Sequence, residues 1–169
     1  MQYMNKVFLL IGGNMGDRLQ NLHQAITGLS ATCGPVLQQS AVYETAAWGK
    51  TDQPSFLNQA LLLTTGLQAQ ELITTILLVE EKMGRLRMEK FGPRVIDIDI
   101  LFYNEVVMHE PNLTIPHPQL QNRRFVLVPM QEIAPELVHP VFHKTITQLL
   151  QECKDELAVK KYGELGMKN

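Results

Sequence analysis

Residues Val95 to Phe102 alternate with the two-residue period of a β-strand. That register puts Ile96, Ile98 and Ile100 on one face and Asp97 and Asp99 on the other. Aspartate is depleted in strands, so two of them at alternate positions of an isoleucine-rich strand ask for a reason. Same-face neighbours on a strand stand roughly 6–7 Å apart. Two carboxylates at that spacing can share a pair of divalent cations, and two left unneutralised would repel each other. Just upstream, Gly92-Pro93-Arg94 constrains the approach and adds a cation. Metal-binding acids beside an arginine suggest polyphosphate chemistry. The competing explanation is an ordinary solvated face of a half-buried strand, and the local sequence leaves both open.

The chain has 169 residues, 45% of them hydrophobic and 19% charged. That length and make-up point to a single globular domain over residues 1–169. With 15 basic and 17 acidic residues the net charge is −2, which gives no overall electrostatic footprint for nucleic acid. The charge is uneven, however. Lys82, Arg85, Arg87, Lys90 and Arg94 crowd the approach to the aspartate strand, and Arg123 and Arg124 follow later. Local basic clusters on an acidic chain suit a small anionic ligand better than a duplex. Cys33 and Cys153 are too few for a disulfide framework or a zinc site. The run Val7 to Ile11 is too short for a signal sequence, and nothing approaches a transmembrane span. A soluble, cytoplasmic protein with no membrane partner is expected.

Taken in order, Lys6 to Ile11 reads as a buried strand stopped by Gly12-Gly13, followed by a helix with Asp17 as its N-cap. Leu19, Leu22, Ile26 and Leu29 mark the apolar face of that helix. The glycines fit neither G-x-G-x-x-G nor the P-loop spacing, so they predict a tight turn rather than a phosphate cradle. Val36 to Tyr43 and Phe56 to Leu63 read as an antiparallel pair of strands, joined by a polar loop carrying Trp48. Leu72, Ile76, Val79 and Met83 mark a second helix, ended by Gly84 at its C′ position. Glu80 sits beside that apolar stripe, as either a solvated flank residue or part of a site. After the aspartate strand, Tyr103-Asn104-Glu105 predicts a hairpin turn and Val106-Val107-Met108 a short return strand. Phe125 to Ile133 suggests a packed helix, interrupted or begun near Pro129, and Ile146 to Leu157 suggests a last one. The order β-α-β-β-α-β is that of ferredoxin-like α+β folds: an antiparallel sheet with helices on one face, here with C-terminal helical additions. Such a fold hosts many functions and chooses none.

The pieces Ile11-Gly12-Gly13-Asn14, Tyr43-Glu44-Thr45, Asp52-Gln53-Pro54-Ser55-Phe56-Leu57-Asn58 and Gly84-Arg85 come first along the chain. Gly92-Pro93-Arg94-Val95-Ile96-Asp97-Ile98-Asp99, Pro116-His117-Pro118 and Asn122-Arg123-Arg124-Phe125 follow. Together they resemble the 6-hydroxymethyl-7,8-dihydropterin pyrophosphokinases of folate biosynthesis, in that family's order and over nearly the whole chain. The resemblance implies transfer of the diphosphoryl unit of ATP to the pterin hydroxymethyl group, with release of AMP. It also implies two Mg²⁺ ions held by Asp97 and Asp99, with Arg85 and Arg94 as catalytic cations near the phosphates. Arg94, His117 and Arg123 match nucleotide-contacting positions, with Glu80, Arg87, Ile100 and Thr114 as further ATP-site candidates. Phe56 and Phe125 match the aromatic positions that would stack on the pterin, and Asn58 the one that would bond its edge. Thr45 and Trp48 belong to the loop that would add contacts to the same ring.

The match is imperfect in places. Leu77 stands where the family often has glutamine, Phe91 where tryptophan is frequent, Ala46-Ala47 where a Pro-Pro pair is usual, and Pro118 where some members have tyrosine. No residue stands out as a general base. The loop from Gly84 to Gly92 is expected to close over ATP. The partners implied are small molecules, without nucleic acid, and the chain is expected to act as a monomer. A two-metal nuclease or nucleotidyltransferase built on Asp97 and Asp99, or a non-catalytic ferredoxin-like binding module, would be the rival explanations.

Overall fold

The structure is a computed structural model that describes residues 4–46, 53–84 and 95–163. Its centre is an antiparallel sheet in which β1 (Asn5–Gly13) lies between β5 (Asp97–Tyr103) and β4 (Phe56–Thr65). Two short strands, β2 (Val36–Gln39) and β3 (Tyr43–Thr45), pair one after the other along the outer edge of β4. The expected single strand from Val36 to Tyr43 is broken between them. Ser40 accounts for the break, because its Oγ accepts from the Ala60 amide while its own amide donates to the Ala60 carbonyl. Beyond β3 the sheet continues into β8 (Val159–Lys161). Met108–Glu110 (β6) and Leu113–Ile115 (β7) form a separate ribbon.

Strand parity decides which helix each side chain meets. Val7, Leu9 and Ile11 of β1, with Leu57, Leu61 and Leu63 of β4, pack under α1 (Arg18–Thr32) and α2 (Ala69–Lys82). Ile96 and its alternate partners Ile98 and Ile100 complete that layer. Phe8, Leu10 and Ala60 turn the other way, onto α3 (Arg124–Ile133) and α4 (Ile146–Glu152). Among the described residues the result is a mixed α+β fold, an antiparallel sheet with four helices. Helices cover both sheet faces: the one-sided expectation describes α1 and α2, and the C-terminal additions take the opposite face. Covering on both sides is why β1 reads as an unbroken apolar run.

Several local expectations hold. Asp17 caps α1 by accepting from the Gln20 amide at 3.1 Å. Gly84 follows the end of α2 with φ +85, the left-handed geometry that favours glycine. Others are corrected. β1 runs through Gly12 and Gly13 rather than stopping at them. Val106-Val107-Met108 does not return along β5; Asn104, at φ 48, turns the chain away, and Met108 pairs with Ile115 instead. The last helix ends at Glu152, because Cys153 is already extended at ψ 131 and the chain runs on toward β8. The helix from Phe125 is continuous, with Pro129 inside it.

Candidate active site

The aspartate strand β5 is an edge of the main sheet, so every second backbone group along it lacks a neighbouring strand. Two other segments supply partners. Glu80 of α2, 5% exposed, accepts from the Ile98 amide at 2.6 Å, at the residue lying between Asp97 and Asp99. The His117 amide donates to the Leu101 carbonyl at 3.0 Å. The backbone under the two acids is thereby fixed on its open side as well as against β1. Glu80 is no solvated flank residue. A buried carboxylate on a backbone amide is a charge-assisted bond, stronger than a neutral one.

Asp97 and Asp99 point to the α3 side of the sheet, the face to which Leu101 also turns. Both are partly exposed, while Ile96, Ile98 and Ile100 are buried on the opposite face, as the alternation requires. The alternation stops at Leu101-Phe102, where the pairing with β1 slips by one residue and both side chains enter the same apolar cluster.

Across the sheet from Asp97 the residues fall in one row. Gly12 pairs with Asp97 on one side and with Asn58 on the other, and Asn58 pairs with Tyr43. Directly opposed residues share a face, and adjacent strands are spaced about 4.8 Å, so Asn58 lies roughly 9–10 Å from Asp97 on the same surface. Gly12 leaves room for the Asn58 side chain, which lies over it. A Cβ there would overlap the Asn58 Oδ1 and come within 2.8 Å of the Leu57 carbonyl. Two residues on, and so on the same face, Thr45 pairs with Phe56. The Thr45 hydroxyl is buried, with no hydrogen-bond partner among the described residues. Asn14, at the end of β1, is 1% exposed and donates to Gln53 Oε1 and to the Pro54 carbonyl. It thus ties the start of β4 to the tip of β1.

The first residues of α3 stand on the same face of the sheet. Phe125 is half-buried against the Phe8–Leu127 cluster, and the Arg123 guanidinium lies 5.7 Å from the centre of its ring. Phe56 is likewise half-buried, so neither aromatic is spent wholly on core packing. Desolvation lowers the His117 pKa to about 4, and the nearby Arg123 charge adds to the effect. Its Nδ1 accepts from the Gln119 amide at 3.1 Å. The neutral ring therefore carries its proton on Nε2 and offers a donor there, which removes it as a base at neutral pH.

Of the residues singled out from sequence, Asp97, Asp99, Asn58, Phe56, Thr45, His117, Arg123 and Phe125 come together around one end of the sheet. Ile100 buries its side chain under α1 and α2, away from that surface. Thr114 sits in the β6–β7 ribbon opposite His109. Arg85, Arg87, Arg94 and Trp48 lie outside the described residues, as does most of the loop expected to close over ATP. Leu77 is half exposed. The spacer role of Gly12 and the tie made by Asn14 escaped the sequence reading, because both depend on strand register.

A family model described as 7,8-dihydro-6-hydroxymethylpterin-pyrophosphokinase matches residues 8–135, most of the chain. The chain belongs to that family. A Synechocystis protein named 2-amino-4-hydroxy-6-hydroxymethyldihydropteridine pyrophosphokinase is 44% identical over 84% of this chain and 73% of its own length. An Aquifex aeolicus protein of the same name is 40% identical over 94% of this chain and 96% of its own. Among solved structures, Plasmodium falciparum HPPK-DHPS, wild type with pteroate, superposes with a TM-score of 0.72 at 17% identity. That match covers 90% of this chain and 43% of the other, and at such identity it speaks to the fold.

The acids on β5 suit the metal their chemistry implies. Mg²⁺ is a hard cation that takes one or two carboxylates, and keeps water and substrate phosphate on its remaining positions. Among the described residues no cluster of three or more acidic, histidine or cysteine side chains forms, so Asp97 and Asp99 would be such a minimal pair. No helix in the described residues is long and apolar enough to cross a membrane.

Proposed function

We propose that this chain transfers the terminal diphosphoryl group of ATP to the hydroxymethyl group of 6-hydroxymethyl-7,8-dihydropterin, releasing AMP, as a step of folate biosynthesis. The observation that carries this reading is the single row Asp97–Gly12–Asn58 on one sheet face. In this reading the acids that would bind metal and the amide that would meet the ring stand about a pterin's length apart on one surface. Family membership supplies the reaction.

In the reaction the hydroxymethyl oxygen bonds to the β-phosphorus while the bond from that phosphorus to the α,β-bridging oxygen breaks. The bond's electron pair leaves with AMP, and the hydroxyl proton passes to water. Asp97 and Asp99 would hold two Mg²⁺ ions. Bound there, the ions supply charge neutralisation and lower the pKa of the attacking hydroxyl. Asn58 meets the donor and acceptor edge of the pterin, the Thr45 hydroxyl adds a partner, and Phe56 and Phe125 flank the ring. Arg123 and the Nε2–H of His117 bind the nucleotide, with Arg85, Arg87 and Arg94 as further phosphate cations and Trp48 on the pterin side. Thr114 lies at the margin of the nucleotide site, and Ile100 contributes through its main chain. Glu80 serves by holding β5 rather than by touching ATP.

We read the core as ferredoxin-like, with β2 and β3 as one broken strand; the order β5-β1-β4-β3 supports that reading. The chain would work as one domain and a monomer, on small molecules and without nucleic acid. The test is direct: incubate the protein with ATP, Mg²⁺ and the hydroxymethyl dihydropterin and measure AMP. AMP formed only when pterin is present is the expected result. ADP, or no nucleotide product, would overturn the proposal.

A further inference from the structure

The segment after α4 bonds both the start of α3 and strand β3, and it lies beyond the residues that match the family model. At one end is Asp155. Helix α3 begins with Arg123 at its N-cap, a residue whose side chain has no acceptor to offer the first amides, and the helix makes no cap of its own. Asp155 supplies the missing acceptor from 31 positions further along: its Oδ2 accepts from the Arg124 amide at 3.0 Å. Its other oxygen accepts from the Leu157 amide at 3.0 Å, which holds the carboxylate in place and turns the chain. At the segment's other end, Val159 pairs with Thr45 and Lys161 with Tyr43, and the Tyr162 amide donates to the Val42 carbonyl at 2.8 Å. Arg18 adds a link below, lying 5.4 Å from the Tyr162 ring while bonding Glu44 of β3.

Both tethered elements carry side chains that the proposed function assigns to the pterin: Phe125 one residue past Arg124, and Thr45 beside Phe56. The far end of α3 is already tied to β3, because Glu132 accepts from the Tyr43 hydroxyl and the Ala41 amide. The near end, where Phe125 stands, has its tie to the β3 side through Asp155 and β8. We propose that residues 155–161 are a clasp that sets the width of the pterin slot, with Asp155 as its positioning residue. The inference rests on the pyrophosphokinase reading above and adds a determinant outside the family's shared core. Phe125 is a rigid ring whose placement follows the helix start closely, whereas Arg123 is long enough to compensate. The effect should therefore fall on pterin binding rather than on ATP.

The bond can be removed from either side. Asp155→Ala deletes the acceptor. Arg124→Pro deletes the donor at the first helical position, where proline is well tolerated. The preceding residue, Arg123 at φ −130 and ψ 112, already has the extended backbone that a following proline requires. Arg124→Ala keeps the amide and serves as control. At saturating ATP, Asp155→Ala and Arg124→Pro should each raise the pterin KM about tenfold with kcat within about twofold of wild type. Arg124→Ala should match wild type, and the double variant Asp155→Ala/Arg124→Pro should be no worse than Asp155→Ala alone, because the bond that Arg124→Pro removes is already gone there. If Asp155→Ala fails to fold, Arg124→Pro carries the test. Unchanged pterin KM in a folded, active Arg124→Pro variant would overturn the clasp, even if thermal stability fell. A wild-type protein that makes no AMP would instead overturn the underlying reading.

Discussion

Along β1, Val7, Leu9 and Ile11 turn toward α1 and α2, while Phe8, Leu10 and Gly12 turn toward α3 and α4. The first set meets mostly aliphatic residues, buried Gln59 opposite Ile11 being an exception, with Leu22, Leu29, Leu72 and Ile76 fully or almost fully buried against it. The second set begins the same way, with Phe8 on Phe102 in an edge-to-face contact, but ends in a glycine flanked by Asp97 and Asn58. One face is a seal from end to end. The other changes from apolar core to a polar surface within a few residues, where the Asn58 side chain lies over the bare backbone of Gly12. What a strand contributes thus depends on whether it is covered along its full length.

The difference can be broken most sharply by deleting one group on each face. Asp97→Ala or Asp99→Ala should cut turnover by about three orders of magnitude while the thermal midpoint and circular dichroism stay near wild type. Leu61→Ala on the sealed face should do the reverse, costing about 2–5 kcal/mol of stability and leaving kcat per folded molecule nearly intact. Unfolding of the aspartate variants would show that the cleft face is structural after all.

Gly12→Ala tests the border between core and cleft. The added methyl must displace the Asn58 side chain or the strand beneath it, an overpacking cost of about 1–3 kcal/mol. Pterin affinity should fall about tenfold or more, and a titration that finds it unchanged would show that Gly12 is not the spacer described above.

The smallest effect belongs to His117, whose folded pKa of about 4 lies below its ordinary 6.5. As pH falls from 6.5 toward 4 the unfolded chain takes up a proton that the folded one refuses, so stability declines across that window and the difference is constant above it. Urea midpoints measured from pH 7 to pH 4 should fall less steeply for His117→Asn than for wild type. Parallel slopes would mean that the ring is not shielded as described.

Much of this was legible in the sequence for a physical reason: periodicity is local. The faces of Ile96 to Ile100, the Asp17 cap, the Gly84 stop and the two long helices all follow from neighbours a few residues apart. The failures share the opposite cause. The return of Val106 to Met108 along β5 was wrong because Asn104 redirects the chain toward β7, and a short apolar run does not say which strand it will pair with. Glu80 stayed open between flank residue and site residue because its partner, the Ile98 amide, is 18 positions away. The last helix ended early because β8 competes for the chain beyond Cys153.

The sequence by itself determined that Asp97 and Asp99 share a strand face opposite three isoleucines, since side chains on a strand alternate whatever surrounds them. It also carried enough matching motifs to point to the family. Only the tertiary structure decided that this face is the one Asn58, Thr45 and Phe56 occupy, with Gly12 between. Only it showed that Glu80, His117 and Asp155 reach in from distant segments to fix the strand and helix that bear the site. Those facts rest on register and on backbone groups left open at a sheet edge or a helix start. Such groups are satisfied by whatever the fold brings near, and no local pattern records which residue that will be.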